Sequence, residues 1–120
     1  MLRVFFILFL SLVPSFAHAA KRVALVIGNS AYKNAPELTN PRNDAVDMAS
    51  ILRVHGFDVI DGYDLDKPTL DRKVRDFAVA LQGATVGLFF YAGHGLQVGG
   101  TNYIVPVDAQ LTRPRHWILR

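Results

Sequence analysis

The chain contains no cysteine among its 120 residues, so disulfides, thiolate metal sites and cysteine nucleophiles are all excluded within it. Charge is sparse and nearly balanced: 19% of residues are charged, and 13 Lys and Arg against 10 Asp and Glu leave a net +3. That balance implies no polyanionic partner, and Arg113, Arg115 and Arg120 at the tail read as a solvated terminus rather than a nucleic-acid surface. Several enzyme signatures are also missing. A dinucleotide fingerprint starting at Gly93 and Gly95 would need glycine at position 98, where Val98 stands, and there is no Gly-x-Ser-x-Gly, phosphate loop or His-Glu-x-x-His. The histidines lie too far apart to suggest a local metal site, and no cofactor is expected. Internal repeats and low-complexity stretches are absent.

Apolar residues are plentiful. A hydrophobic share of 51% excludes intrinsic disorder and predicts a collapsed, folded chain. The front end, residues 1–19, has a basic start at Arg3, an apolar run from Val4 to Val13, then Pro14 and the small-residue triplet Ala17-His18-Ala19. The run is about 10 residues against the ~20 that a membrane-spanning helix needs, so residues 1–19 are expected to be a cleaved signal peptide. Residues 20–120 then form one small domain, exported to a periplasmic or extracellular compartment and with no membrane attachment after cleavage.

Within that domain, Arg22–Gly28 (RVALVIG) is a β-branched apolar run that suits a strand buried on both faces of a parallel sheet. The loop Asn29–Asn40 follows. Asn40 and Pro41 read as N-cap and first helical residue, with Ala45, Met48, Ala49 and Leu52 as the apolar stripe and Gly56 as the stop. Phe57–Ile60 predicts a second strand. Asp66, Pro68 and Thr69 start a second helix whose buried face is Leu70, Val74, Phe77, Ala78 and Leu81, and Gly83 ends it. Val86–Tyr91 (VGLFFY) predicts a third strand, after which Leu96–Val98, Gly99-Gly100 and Tyr103–Val105 suggest a hairpin or a turn into a fourth strand. This order predicts an α/β domain with helices on both faces of a mostly parallel sheet.

Chemistry in such a sheet gathers in the loops at the carboxyl ends of the strands. Tyr91-Ala92-Gly93-His94-Gly95 occupies one of them. His94 can take a proton at neutral pH and the Gly95 amide can hold an oxyanion; the plainer alternative is an exposed turn histidine. Asp44, near the start of the first helix, suits either the helix dipole or a bound substrate, and His55 suits a helix end.

Taken together, Arg22–Asn29, Leu38–Asp44 with Asn43-Asp44-Ala45, Gly56-Phe57-Asp58-Val59 and Phe89–Gly95 resemble the caspase and metacaspase family of cysteine peptidases, in its motif order and spacing. The resemblance covers about Lys21 to Asp108. It implies a caspase-like three-layer sandwich and peptide-bond hydrolysis by a Cys/His dyad. It further implies that His94 is the catalytic histidine, that Gly95 supplies an oxyanion-hole amide, and that Asp44 lines a pocket for a basic P1 side chain. The family's nucleophilic cysteine should follow the histidine by roughly 50 residues. This sequence stops at Arg120, and Leu111–Arg120 lacks the periodicity of a next helix, so a truncation by a stop or a frame shift is expected. The sheet is then incomplete at its C-terminal end, with an open edge prone to aggregation. Two functional classes follow: half of an exported cysteine endopeptidase, inactive alone and acting on peptide or protein substrates once a Cys-bearing segment completes it, or a non-catalytic caspase-fold interaction module.

Overall fold

The computed structural model describes residues 20–110, so the expected signal peptide at residues 1–19 and the tail at residues 111–120 lie outside the described residues. Strand β1 (Arg22–Gly28) leads to helix α1 (Pro41–Val54), β2 (Asp58–Tyr63), α2 (Lys67–Ala80) and β3 (Val86–Ala92), followed by β4 (Gly95–Val98) and β5 (Thr101–Ile104). The first three strands form a parallel sheet in the order β2-β1-β3, and β4 and β5 form a separate antiparallel pair. The chain steps from β1 to β2 in one direction and crosses back over β1 to β3 in the other. Right-handed crossovers in opposite directions place α1 and α2 on opposite faces, which gives the three layers expected from the sequence.

The central strand shows why that order is stable. Ala24 and Val26 face one side, packing with Ala45, Ala49 and Leu52 of α1, while Leu25 and Ile27 face the other with Leu65 and Leu70. Alternate side chains of one strand thus feed two separate cores, which is what an apolar run without polar alternation requires. A third cluster, Tyr32 with Val105 and Val107, seals the carboxyl end of the sheet.

Three local expectations are refined. Asn40 does stand at the N-cap of α1, but its own backbone is helical and its side chain makes no capping bond. The hydroxyl of Ser30 takes over and accepts the Arg42 N–H at 3.0 Å, so the cap comes from the preceding loop and ties it to the helix. Strand β2 runs on to Tyr63 because it pairs with β1 as far as Gly28. The face of α2 is less buried than its periodicity predicts: Leu70 is buried, whereas Val74 is 38% and Leu81 37% exposed. The helix packs on β1 and β2, and Leu81 just past its end lies over Gly87 of β3, where a Cβ would stand 2.5 Å from the leucine Cδ2.

Asp66 caps α2 as expected, accepting the Thr69 N–H at 3.0 Å. The hairpin also forms, turning at Gly99 and Gly100 with φ of 55° and 80°, the pair of positive values that a two-residue turn between twisted strands demands. Among the described residues β3 has β1 as its one strand neighbour, and Phe89 on it is 51% exposed.

Candidate functional site

The β2-β1-β3 order creates a switch point between the carboxyl ends of β1 and β3, because the chain leaves β1 toward one edge and reaches β3 from the other. The crevice there is organised by Asn29, which is fully buried directly after β1. Its N–H donates to Ala92 O at 2.9 Å, its Oδ1 accepts the Leu65 N–H at 2.9 Å and its Nδ2 donates to Val105 O at 3.2 Å. One residue, through its backbone N–H and its satisfied side chain, therefore joins the exits of β1, β2, β3 and β5. Gly28 just before it admits α1: a Cβ there would stand 2.5 Å from Pro41 O and 2.6 Å from Ala45 Cβ.

The loop from Asn29 to Asn40 is anchored by Asp64. This residue has φ of 53°, a conformation that aspartate tolerates better than most side chains. Its Oδ1 accepts the N–H groups of Ser30 and Ala31 at 2.8 and 3.0 Å, and its Oδ2 meets the Arg42 guanidinium at 3.2 Å. Burial pushes the carboxyl upward, but the Ala31 and Ser30 amides and Arg42 together hold it below the ordinary 3.8. An open cleft of about 530 Å³ lies alongside, lined by Ser30, Glu37, Leu38, Arg42, Asn43 and Asp64 among others.

His94 sits across the same loop, in the turn after β3. Its Nε2 lies 2.8 Å from Pro36 O, and its ring packs 4.5 Å from the Tyr32 ring. A carbonyl can only accept, so in the neutral imidazole the proton is assigned to Nε2 and the free lone pair to Nδ1. The backbone is held equally firmly. His94 N–H donates to Tyr32 Oη at 2.8 Å, and His94 O accepts from Tyr91 Oη at 2.6 Å and from Val105 N at 3.2 Å. The His94–Gly95 peptide is trans and planar, so a carbonyl turned toward Val105 and Tyr91 sends the Gly95 N–H the opposite way, out from the hairpin. The preceding glycine is needed for space: a Cβ on Gly93 would lie 2.6 Å from both tyrosine hydroxyls.

Among the described residues the Gly95 N–H has no hydrogen-bond partner, and it stands next to the His94 ring as a candidate donor beside a candidate proton acceptor. The structure places Asp44 elsewhere: exposed in the first turn of α1, beside Asn43 of the cleft but not itself among the cleft-lining residues. His55 is the C-cap residue of α1. Among the described residues no group of three or more His, Asp and Glu gathers as a metal site would.

Sequence reasoning missed Asn29, Tyr32, Asp64 and Tyr91 as members of the site. Asn29 was open to detection as a polar residue directly following the apolar run Val23–Gly28. Tyr32 was not, and although Tyr91 opens the Tyr-Ala-Gly-His-Gly motif its role was not legible either, since the two hydroxyls meet at 3.1 Å across 59 residues of chain.

Residues 21–118 match the caspase domain. The chain is also 37% identical over 91 residues to human mucosa-associated lymphoid tissue lymphoma translocation protein 1 and to its mouse homolog. Those alignments take in 76% of this chain but 11% of each relative, so the chain spans about a tenth of the length of these curated relatives. A match that starts just ahead of β1 and continues past the Tyr-Ala-Gly-His-Gly turn makes the chain a member of the caspase-domain family.

Proposed function

We propose that this chain carries the histidine side of a caspase-family cysteine endopeptidase site, to be completed by a Cys-bearing segment. The observation that carries the reading is the pairing of His94, with Nε2–H held by Pro36 O, and the outward Gly95 N–H at the β1/β3 switch point. In a completed site, Nδ1 of His94 takes the thiol proton and the sulfur attacks the peptide carbonyl carbon. The Gly95 N–H donates to the developing oxyanion, and the imidazolium protonates the departing amine. Water then hydrolyses the thioester, with His94 again acting as base. Asp44, an exposed carboxylate in the first turn of α1, is assigned in this proposal to favour substrates with Arg or Lys at P1 through charge complementarity. Export after removal of residues 1–19 belongs to the same proposal, with peptides or proteins as substrates and no nucleic acid. Secreted material beginning at Ala20 is the expected result of N-terminal sequencing.

The chain alone has no thiol to activate. Mixed with a separately produced Cys-bearing caspase-domain segment, it is expected to hydrolyse Arg or Lys P1 peptides, and His94→Ala is expected to abolish that turnover. Preference for Asp at P1 would sink the Asp44 assignment. Iodoacetamide-sensitive turnover by the pure chain would sink the claim of dependence on a second segment.

The lack of cysteine favours a second reading, a non-catalytic interaction module that keeps the fold. No turnover with any Cys-bearing segment, together with retained partner binding in His94→Ala, is the result that selects it.

A further inference from the structure

The hydroxyls of Tyr32 and Tyr91 contact both backbone polar groups of His94 and also each other. The proton assignments follow from counting. Tyr91 has one hydroxyl proton, and His94 O at 2.6 Å is a far better acceptor for it than Val105 O at 3.3 Å. The Tyr32 hydroxyl must then donate to Tyr91 Oη at 3.1 Å, while its own oxygen accepts the His94 N–H at 2.8 Å. The result is a closed circuit: His94 N–H to Tyr32, Tyr32 to Tyr91, and Tyr91 back to His94 O.

Every member of the circuit donates once within it and accepts once within it, so the bonds polarise one another in the same sense. The circuit is shielded, since Tyr32 is buried beside Val105 and Val107 and Tyr91 is half-buried against the α2 core. Burial and the Tyr32 hydroxyl push the Tyr91 phenol well above its ordinary value, which keeps its proton in place across the physiological range.

Two features of the site depend on this arrangement. The first is the imidazole: Tyr32 fixes the His94 N–H, packs its ring against the histidine ring, and lies on the same loop as Pro36, whose carbonyl holds Nε2. The second is the amide of Gly95. Tyr91, at 2.6 Å the shorter of two donors beside Val105 N–H at 3.2 Å, holds the direction of His94 C=O, and peptide planarity converts that direction into the outward setting of Gly95 N–H.

The geometry points to Tyr32 and Tyr91 as a pair of positioning residues that set both the base and the oxyanion donor through one hydrogen-bond circuit around the His94 backbone. This inference rests on the reading of His94 and Gly95 given above, but it concerns groups that are present in the chain without any nucleophile. Neither tyrosine touches substrate in this role. They act through His94.

The test uses the full chain in solution and needs no turnover. Amide hydrogen exchange is compared for two adjacent residues, and nitrogen NMR reads the tautomer of His94. In the wild type, His94 N–H is expected to be protected at least about tenfold more than Gly95 N–H, and Nε2 is expected to carry the ring proton. Tyr32→Phe keeps the ring but removes the hydroxyl. It is expected to bring the two amides within about threefold of each other and to mix the tautomers, with the β1 amides still protected. Tyr91→Phe removes the acceptor of the Tyr32 hydroxyl while Val105 N–H still donates to His94 O, and it is expected to lower protection of the His94 N–H toward that of Gly95.

Equal exchange of the two wild-type amides would overturn the inference outright, even if no variant folds. So would a folded Tyr32→Phe with wild-type protection and tautomer. Failure of the Cys-complementation experiment would sink the peptidase reading while leaving these NMR outcomes intact, and the reverse also holds.

Discussion

Asp64 Oδ1 receives the backbone N–H of Ser30 at 2.8 Å across 34 residues of chain, and this bond fixes the start of the loop that separates the cleft from His94. Removing the carboxylate leaves the Ser30 and Ala31 amides without their acceptor and frees Arg42. Asp64→Ala is expected to cost about 1–3 kcal/mol of stability, and Asp64→Asn less, since asparagine keeps one acceptor oxygen and tolerates the positive φ. Urea denaturation checks this. Wild-type midpoints for both variants would show that the loop is held by other means.

Acid pH should act through the same group. The folded carboxyl of Asp64 lies below its unfolded value of 3.8: burial raises it, and the Ala31 and Ser30 amides with Arg42 more than compensate. Its contribution is therefore complete above the unfolded value and lost as pH falls through the folded one. Asp61, raised by burial and lowered by Arg53 and Tyr63, adds in the same direction. Stability measured from pH 6 down to pH 2, as a round experimental range, should decline less steeply in Asp64→Asn than in the wild type, by about the charge-dependent share of the bond. Parallel curves would argue against the assignment.

At the alkaline end the sign reverses. Tyr63 is pushed up to about 12 by burial and by its bond to Asp61, and Tyr91 is raised by burial and by Tyr32. A phenol whose folded value exceeds its unfolded value stabilises fully below the unfolded value, near pH 10, and loses that contribution as pH rises toward the folded one. Ultraviolet tyrosinate absorbance followed together with unfolding is expected to show stability falling from about pH 10 upward. Tyr63→Phe should flatten part of that fall.

Two neighbouring glycines should respond differently to the same change. A methyl group on Gly93 meets Tyr32 Oη and Tyr91 Oη at 2.6 Å and Tyr91 Cζ at 2.9 Å, whereas one on Gly95 meets nothing nearer than Tyr103 O at 3.7 Å. Gly93→Ala is expected to destabilise by about 1–3 kcal/mol, and Gly95→Ala to stay within about 0.5 kcal/mol of the wild type. Thermal unfolding of the pair decides it, and equal losses would contradict the geometry.

What the sequence allowed to be read follows from the range over which each signal acts. The strand RVALVIG, the helix after Pro41 and the Gly99-Gly100 turn announce themselves within a few residues, and the structure contains all three. The Tyr-Ala-Gly-His-Gly turn stood out as a glycine-flanked polar break after an apolar strand, and the structure places it at the end of β3. Ser30 as the cap of α1 and Asp64 as the anchor of its loop were not legible, since each acts on a partner from another element. Periodicity marked Val74 and Leu81 as facing the sheet, which Leu81 does over Gly87, without stating how completely each is covered.

The two sheet edges invite a fifth experiment. The outer edge of β2 carries Asp58 and Asp61, charges that discourage further strand addition, whereas β3 reads VGLFFYA with no charge and an exposed Phe89. Phe89→Lys is expected to shift the onset of self-association to protein concentrations at least about threefold higher, by light scattering, with the fold retained. An unchanged onset would place the association elsewhere.

The central position of β1 has a consequence in time. Among the described residues it is the first strand to leave the ribosome and the only one that needs two partners, and the second of these, β3, is completed only at Ala92. At a synthesis rate of about 5–20 residues per second, the strand destined to be most buried waits for seconds with one side unpaired. The interval between Gly28 and Ala92 is therefore the stretch of synthesis in which a chaperone has the most to do.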